Sequence, residues 1–177
     1  METKKIFEDM RKKSVRNFKE VKIRHRVRIG DVAVSALNAG HILGSTQFKV
    51  ELPQKTILYT GDINCVDTLT TSSAEEIRCD LLVTEATYGN PSYIFPHRDR
   101  TYAKIVEWAT QQARDGRVPT FHVYAAGKAQ EIVKLFNVYT KLHVVTHPII
   151  AKVNETYSNE GVRLQYTSAF NEEAAKI

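Results

Sequence analysis

Apolar residues recur along the chain with two different periods, and the change falls near residue 90. Before that point, short apolar runs bounded by turn residues predict strands at 21–29, 32–37, 47–52 and 56–59. An unbroken Leu-Leu-Val run predicts a buried strand at 81–83. A looser apolar stripe among lysines and arginines predicts a helix over 3–19. The first half is therefore expected to be rich in strands, with a helix at its start.

Two short segments predict tight connections between these strands. Gly30-Asp31 stands between two strand patterns and has the composition of a two-residue hairpin turn. Pro53-Gln54-Lys55 separates the next pair of strands in the same way. The first half should therefore contain antiparallel hairpins.

Beyond residue 90, helical and extended patterns alternate. The helical patterns cover 99–114, 128–139 and 148–157, and the extended ones cover 118–124, 142–145 and 161–164. Strands that alternate with helices predict parallel βαβ units with right-handed crossovers. We therefore predict an α/β protein with a boundary near residue 90.

Composition places the chain among ordinary globular proteins. It is 42% hydrophobic and 25% charged, and no apolar run approaches the roughly 20 residues of a membrane span. The N-terminal residues lack the apolar stretch of a signal peptide. Two cysteines in such a chain are expected to be free thiols. We predict a cytoplasmic protein without a membrane partner.

The positive charge is concentrated at one end. Residues 1–28 hold 11 Lys or Arg against 4 Asp or Glu, within a net charge of +5 for the chain. Clustered cations favour a phosphate-bearing partner, because they release counterions from nucleic acid. A solvated helix face, followed by an edge strand whose lysines prevent pairing with other strands, explains the same charges. Charge alone therefore leaves RNA binding open.

Three short polar segments follow predicted strands, and each carries a histidine or an acid. His41 lies in Asn38–Ser45, Asp62 follows Tyr59-Thr60-Gly61, and Glu85 lies in Thr84–Gly89. A histidine, an aspartate and a glutamate on successive loops are one way to assemble a metal-dependent hydrolase site.

Local sequence also allows structural roles for these residues. His41 fits a turn histidine bonded to backbone, and Glu85 fits a carboxylate that caps the following turn. Gly40, Gly44 and Gly61 would let the backbone turn tightly and bring ligands close together. The sequence contains no His-x-His and no Asp-His pair, so a metal site built from these 177 residues would be incomplete.

Four motifs, in order, resemble those of one nuclease family. Ala39-Gly40-His41-x-x-Gly44-Ser45 resembles the third metal motif of the metallo-β-lactamase fold, and Tyr59-Thr60-Gly61-Asp62 resembles the fourth. Glu85-Ala86-Thr87-Tyr88-Gly89 is similar to the first motif of its β-CASP nuclease branch. Tyr124–Glu131 is similar to that branch's Phe-Ala-x-Gly-Arg-x-Gln-Glu stretch, with Lys128 in place of Arg. The resemblance covers residues 30–150 and points to cleavage-and-polyadenylation nucleases and their archaeal relatives in mRNA 3′-end processing.

The resemblance implies a layout for the two halves. Residues 1–90 would be the C-terminal half of a metallo-β-lactamase-like domain, contributing one half of its β-sandwich. Residues 91–177 would be part of a β-CASP-like α/β cap with parallel βαβ connections. Family members begin with a His-x-His-x-Asp-His signature and carry a late histidine in the cap. We expect this chain to start after the first of these features and to end before the second.

The resemblance also implies a two-zinc site that hydrolyses phosphodiester bonds in RNA. His41 would donate a ring nitrogen to one zinc ion, and Asp62 would bridge both ions and act in catalysis. Glu85 would act in catalysis without touching metal, by orienting a histidine that protonates the leaving group. Because two ligands do not hold two hydrolytic zinc ions, we predict that the chain alone is inactive or weakly active.

Two segments, each with basic residues near the start of a predicted helix, are candidates for binding the phosphates of RNA. Arg98 and Arg100 stand at the start of a predicted helix, where cations and amides can meet a phosphate. Gly127 and Lys128 stand at a strand-to-helix turn, and the corresponding family segment borders the RNA channel. We predict that these four residues bind substrate.

Three functions stay open at this point. The chain is part of a nuclease whose missing ligands come from a partner chain or a second copy. Alternatively, it is a non-catalytic module that keeps the fold and binds RNA or a nuclease partner. In the third reading it associates with itself, so that another copy covers exposed sheet edges.

Overall fold

The computed structural model describes residues 2–11, 14, 16 and 21–170. By its internal contacts the chain forms two units, Met1–Thr87 and Tyr88–Ile177. Among these described residues, the first unit contains a mixed sheet and one helix, and the second contains three helices and a short pair of strands. The described chain is therefore a mixed α/β structure, as its two periodicities predicted. None of its described helices has the length and apolar character to cross a membrane.

The first unit is built around a five-stranded sheet. Its elements are α1 Glu2–Arg11, β1 Arg26–Ile29, β2 Val32–Asn38, β3 Thr46–Glu51, β4 Thr56–Tyr59 and β5 Leu81–Val83. The strands lie side by side in chain order. Neighbouring strands are antiparallel except β4 and β5, which are parallel.

Both predicted turns of the sheet are confirmed. Gly30 adopts φ +61°, which is accessible to glycine at little cost, and the turn joins the paired residues Ile29 and Val32. Between β3 and β4, the amide of Leu52 donates to the carbonyl of Lys55 at 2.9 Å. The antiparallel part of the sheet therefore follows directly from local turn chemistry.

The prediction that residues 81–83 are buried is wrong. They form β5, but Leu81, Leu82 and Val83 are 46%, 53% and 44% exposed. β5 pairs with β4 on one side and is the last strand of the sheet. An unbroken apolar run indicates a strand, but it does not show whether other elements cover both of its faces.

Two predicted elements near the N-terminus are shorter in the structure. The helix predicted over 3–19 ends at Arg11; Ser14 and Arg16 are not helical, and the other positions from 12 to 19 lie outside the described residues. The strand predicted from residue 21 begins at Arg26. The preceding residues make a turn, in which the amide of His25 donates to the carbonyl of Lys22 at 3.0 Å.

The described residues of the second unit, 88–170, form three helices and two very short strands. They are α2 Arg98–Arg114, α3 Lys128–Tyr139, β6 Val145–Thr146, α4 Pro148–Asn159 and β7 Thr167–Ser168. β6 and β7 are parallel, with α4 between them in sequence. The unit is therefore helical in the main, with one short βαβ connection.

The predicted strands of the second unit are mostly wrong. No strand forms at 118–124, the strand predicted at 142–145 is reduced to β6, and the one predicted at 161–164 lies later, in β7. Val118 and Tyr124 are 88% and 85% exposed, so this segment has no ladder partner among the described residues. An extended apolar pattern becomes a strand only when a neighbouring strand accepts its hydrogen bonds.

The helix ends of the second unit follow known capping chemistry. Nδ1 of His147 accepts from the amide of Ile149 at 3.2 Å, and Pro148 occupies the first turn of α4. After α4, Gly161 adopts φ +92° as the chain leaves the helix. The helices enclose a core of apolar side chains: Ala109, Ala129, Val133, Leu135, Phe136, Ala151, Val153 and Tyr157.

Candidate functional site

The three polar loops of the first unit lie at one edge of its sheet. β2, β4 and β5 run in the same direction, because β3 is antiparallel to β2 and β4, and β5 is parallel to β4. Their carboxyl ends therefore share an edge, and His41, Asp62 and Glu85 follow them there. The sheet topology thus collects three residues that lie more than 20 positions apart from one to the next in sequence.

His41 and Asp62 form a pair with its donor atoms close together. Nε2 of His41 lies 3.8 Å from Oδ2 of Asp62, and the two side chains are 45% and 72% exposed. Donor atoms bound to one tetrahedral zinc ion, each at about 2 Å, are separated by about 3.3 Å. A small side-chain movement would therefore bring both donors onto one ion.

Two donors do not complete a zinc site, since a zinc ion is held by about four. Within the described part of the chain, no group of three or more His, Cys, Asp or Glu side chains could hold a metal ion. Cys65, three positions after Asp62, is an exposed free thiol. The described side chains therefore do not fit a complete zinc site, and no metal-dependent step follows from them.

The loop that carries His41 packs closely against the backbone of a neighbouring segment and is bonded to the side chain of Ser45. Gly40 adopts φ +69°, and a Cβ at this position would lie 2.4 Å from the amide nitrogen of Ala74 and from the carbonyl oxygen of Asn64. The hydroxyl of Ser45 accepts hydrogen bonds from the amide of His41 at 3.0 Å and from the amide of Ile42 at 3.2 Å. Only glycine fits at position 40, and the close approach sets the direction in which His41 leaves the loop.

Glu85 is bonded to protein donors rather than directed toward open solvent. Oε1 accepts from the amide of Ile63 at 2.9 Å, and Oε2 accepts from the hydroxyl of Thr87. The Thr87 hydroxyl first, then the Ile63 amide and the nearby His41, hold the pKa of the Glu85 carboxyl below its usual value. Because Ile63 follows Asp62 directly, the ionised carboxylate of Glu85 anchors the Asp62 loop.

Several residues that support this edge were not identified from the sequence. Gln47 is fully buried, and its Nε2 donates to the carbonyls of Asn38 and Glu75 at 2.9 and 2.7 Å. Glu75 in turn accepts from the amide of Asn38 at 3.0 Å and from Nε of Arg24 at 3.0 Å. A polar residue at an inward position of a predicted strand, such as Gln47, was the available signal.

In the second unit, predicted substrate-binding cations surround a buried acid. The side chain of Glu131 is 7% exposed, and it pairs with Arg98 at 3.1 Å and with Lys128 at 3.2 Å. The hydroxyl of Tyr102 also donates to Glu131. Burial, together with the hydrogen bond to Glu131, raises the pKa of Tyr102 to about 12. Both Arg98 and Lys128 are therefore used to compensate Glu131, a residue whose role the sequence did not indicate.

The turn at Gly127 uses its amides within the protein. The amide of Gly127 donates to Oε1 of the buried Gln130 at 2.7 Å, while the amides of Lys128 and Ala129 donate to the carbonyls of Ala126 and Tyr124, both at 3.2 Å. These three amides are not directed at a ligand. Gly127 itself has φ +83° and serves the shape of the turn.

Among the four residues predicted to bind substrate, Arg100 and Lys128 are the exposed cations. Arg100 is exposed in the first turn of α2, and the side chain of Lys128 is 52% exposed despite its pairing with Glu131. The side chain of Arg98 is only 27% exposed. Of the four predicted substrate-binding residues, Arg100 and Lys128 therefore present the most accessible charge.

The known proteins that are similar to this chain include three whose names refer to RNA cleavage or processing. An RNase J-like protein of Methanocaldococcus jannaschii is 39% identical over 106 residues, which is 59% of this chain and 25% of that protein. A probable RNase MJ4 of the same organism is 34% identical over 150 residues, or 76% of this chain and 35% of that protein. Cleavage and polyadenylation specificity factor subunit 3 of Dictyostelium discoideum is 29% identical over 133 residues, which is 72% of this chain and 16% of that protein. The chain thus spans 16% to 35% of the lengths of these relatives.

A solved structure of similar fold comes from Enterococcus faecalis V583, where the protein is described as one of unknown function. The match covers 99% of this chain and 46% of the Enterococcus chain, with a TM-score of 0.66 and 16% sequence identity. No family model matches the chain. The structural likeness supports the α/β class; the assignment of the units to half a sandwich and part of a cap stays a prediction.

Proposed function

Because the chain belongs to the β-CASP branch of the metallo-β-lactamase family of RNA-processing nucleases, we propose that it forms part of a metal-dependent nuclease that hydrolyses phosphodiester bonds in RNA. The family prediction made from four motifs is thereby confirmed. The chain spans at most 35% of the three relatives named above. The names of two of these relatives, an RNase J-like protein and a probable RNase, support the activity, and the residues below give it a site.

The observation that carries this proposal is the His41–Asp62 pair. One imidazole nitrogen and one carboxylate oxygen lie 3.8 Å apart, both exposed, at the edge where three strands end. We propose that both are metal ligands: in the assembled enzyme His41 would supply a ring nitrogen and Asp62 carboxylate oxygens to zinc, which would activate water for hydrolysis. The remaining donors would come from a partner chain, a second copy or further residues of a longer protein.

Glu85 is proposed to act in catalysis through position rather than by contact with metal. Its carboxylate accepts from the amide of Ile63, next to Asp62, and stays ionised because its pKa is lowered. This contact keeps the Asp62 loop in place. A role in orienting a catalytic histidine would come in addition, once that histidine is supplied.

The second unit is proposed to bind the RNA backbone. Arg100 and Lys128 present accessible positive charge, and Arg98 and Gly127 hold the surrounding structure in shape. Residues 1–90 would correspond to the C-terminal half of the metallo-hydrolase domain and residues 91–177 to part of the cap. A cytoplasmic location is our expectation for a protein of this kind.

Metal binding tests the assignment of the ligands. Calorimetry on the metal-free 177-residue polypeptide should show weak zinc binding that is lost in His41→Ala and in Asp62→Ala. His122→Ala is the matched control, since His122 is exposed and lies in the other unit. Zinc binding that survives both ligand variants unchanged would show that these residues are not the ligands.

RNA cleavage tests the completeness of the site. The isolated polypeptide should show no turnover above buffer, because about four donors are needed for each zinc ion. Robust zinc-dependent cleavage that disappears in Asp62→Ala would contradict this expectation. It would mean that a second copy or other residues complete the site.

A non-catalytic binding module is the second candidate function. It is favoured by the absence of any group of three metal-binding side chains within the described residues. In that case RNA binding would be the same with and without zinc and would be unaffected by Asp62→Ala. In both cases RNA binding should weaken steeply with added salt, because cations release counterions from the phosphates.

A further inference from the structure

Three aromatic side chains at the start of the second unit form an exposed cluster. Tyr88, Tyr93 and Phe95 are 63%, 53% and 64% exposed. The ring of Tyr88 meets those of Tyr93 and Phe95 edge-on, with centroids 5.4 and 5.0 Å apart. The rings of Tyr93 and Phe95 are parallel to within 7°, with centroids 6.2 Å apart. We call these three residues the aromatic cluster.

The aromatic cluster is held by a tight turn. The amide of Tyr93 donates to the carbonyl of Asn90 at 3.0 Å, which closes a four-residue turn with Pro91 in its second position. The side chain of Asn90 also accepts from the amide and the hydroxyl of Ser92, both at 2.9 Å. The turn fixes the backbone at Tyr93, so this part of the cluster loses less conformational entropy on binding.

Positive charge follows the aromatic cluster closely in the chain. Arg100 and Lys104 are one helical turn apart on α2, so they share a face, and both are exposed. Arg98 pairs with Glu131, whereas neither Arg100 nor Lys104 forms an ion pair with any residue that the structure describes. Two like charges at this spacing repel each other slightly, and an anionic ligand would relieve that repulsion.

We infer that the aromatic cluster is a stacking platform for the bases of single-stranded RNA, with Arg100 and Lys104 contacting the adjacent phosphates. This inference rests on the proposed function, which supplies RNA as the ligand. Exposed rings, followed within ten residues of the chain by exposed cations, offer the two kinds of contact that a single strand needs, one for the base faces and one for the charged backbone. In a duplex the base faces are already stacked on one another, so the platform selects unpaired RNA.

The direct test is fluorescence anisotropy with labelled 12-nucleotide oligo(U) and oligo(A). The double variant Tyr93→Ala/Phe95→Ala should bind about 5- to 100-fold more weakly than the unaltered chain, because stacking on an aromatic side chain contributes on this scale. Tyr139→Ala is the matched control, since Tyr139 is 58% exposed but lies at the end of α3. It should bind like the unaltered chain. Tyr93→Phe, which keeps the ring, should also bind normally.

An abasic oligonucleotide separates stacking from charge. It keeps the phosphates and removes the bases, so the unaltered chain should bind it more weakly than oligo(U). The double variant should bind the two equally, because it has lost the ring surface. If the unaltered chain and the double variant had the same ratio of affinities for oligo(U) and the abasic oligonucleotide, the inference would be overturned.

The outcomes also separate this inference from the proposed function. If the unaltered chain binds single-stranded RNA and the double variant binds it equally well, the stacking platform is wrong and RNA binding stands. If the chain prefers duplex RNA, the platform is likewise wrong. If the unaltered chain binds no RNA even at low salt, both the proposed function and this inference are overturned.

Discussion

Glu85 in the first unit and Glu131 in the second each accept hydrogen bonds from nearby side chains, but in different surroundings. The side chain of Glu131 is 7% exposed and meets two cations and a tyrosine hydroxyl. Glu85 lies near the surface and meets a threonine hydroxyl and one amide. Burying a charged carboxylate costs far more solvation free energy than keeping it at the surface. Only Glu131 therefore needs full compensation by neighbouring donors and cations.

This difference changes how the cations and acids of the two units are interpreted. Arg98 is a conspicuous cation in the sequence, yet in the structure it neutralises Glu131. His41 and Asp62 stay exposed, and their 3.8 Å separation is longer than a hydrogen bond. Residues whose charge is satisfied inside the fold maintain the fold, whereas those left open are available to a ligand.

The largest expected effect is the loss of the buried carboxylate. Glu131→Ala should lower the free energy of unfolding by about 3 to 5 kcal/mol, because it leaves Arg98 and Tyr102 without their shared acceptor. Denaturant unfolding would measure this. Glu131→Gln, which keeps a hydrogen-bond acceptor, should lower the free energy of unfolding by a smaller amount. If Glu131→Ala lowered the free energy of unfolding no more than Glu85→Ala, the proposed difference between the two acids would be wrong.

A smaller loss is expected at the His41 loop. Gly40→Ala should destabilise the chain by about 2 to 3 kcal/mol, because the new Cβ adds a steric clash to an unfavourable positive φ. Gly30→Ala is the matched control: it has a similar φ of +61°, but a Cβ there meets no atom within 4 Å. It should cost only about 1 kcal/mol. Equal effects of the two substitutions on unfolding would show that the Gly40 backbone contact is not restrictive.

The smallest expected effect depends on pH. The pKa of Glu85 is lowered in the folded chain from its usual 4.5, so its ionised form stabilises the fold above that pH. This stabilisation is lost as the pH falls through the lower, folded-state pKa. At pH 7, Glu85→Gln should cost less than about 1 kcal/mol, since the carboxylate is near the surface.

Urea unfolding at pH 7 and at pH 3 would measure this dependence. The difference between Glu85→Gln and the unaltered chain should shrink at the lower pH. In a Thr87→Ala background the same substitution should have less effect at pH 7, because the first donor to the carboxylate is gone. A difference that grows as the pH falls would contradict the lowered pKa.

Elements governed by local chemistry were predicted well. The Gly30-Asp31 turn, strands β2 to β4 and the three helices of the second unit occur close to their predicted positions. Each depends on neighbours in sequence: glycine at positive φ, alternating apolar residues, or an apolar stripe that a cap or a glycine ends. The extended segment at 118–124 failed because a strand needs a partner, and partners are distant in sequence.

The sequence by itself indicated three candidate site residues and the family that their motifs resemble. His41, Asp62 and Glu85 lie in short motifs that contain glycines, and such motifs can be identified from the sequence without a structure. Only the tertiary structure decided what each of them touches. It placed His41 beside Asp62, turned Glu85 toward the amide of Ile63, and buried Glu131 between Arg98 and Lys128. The physical reason is that contacts and burial depend on strand order and helix packing, which join residues far apart in the chain.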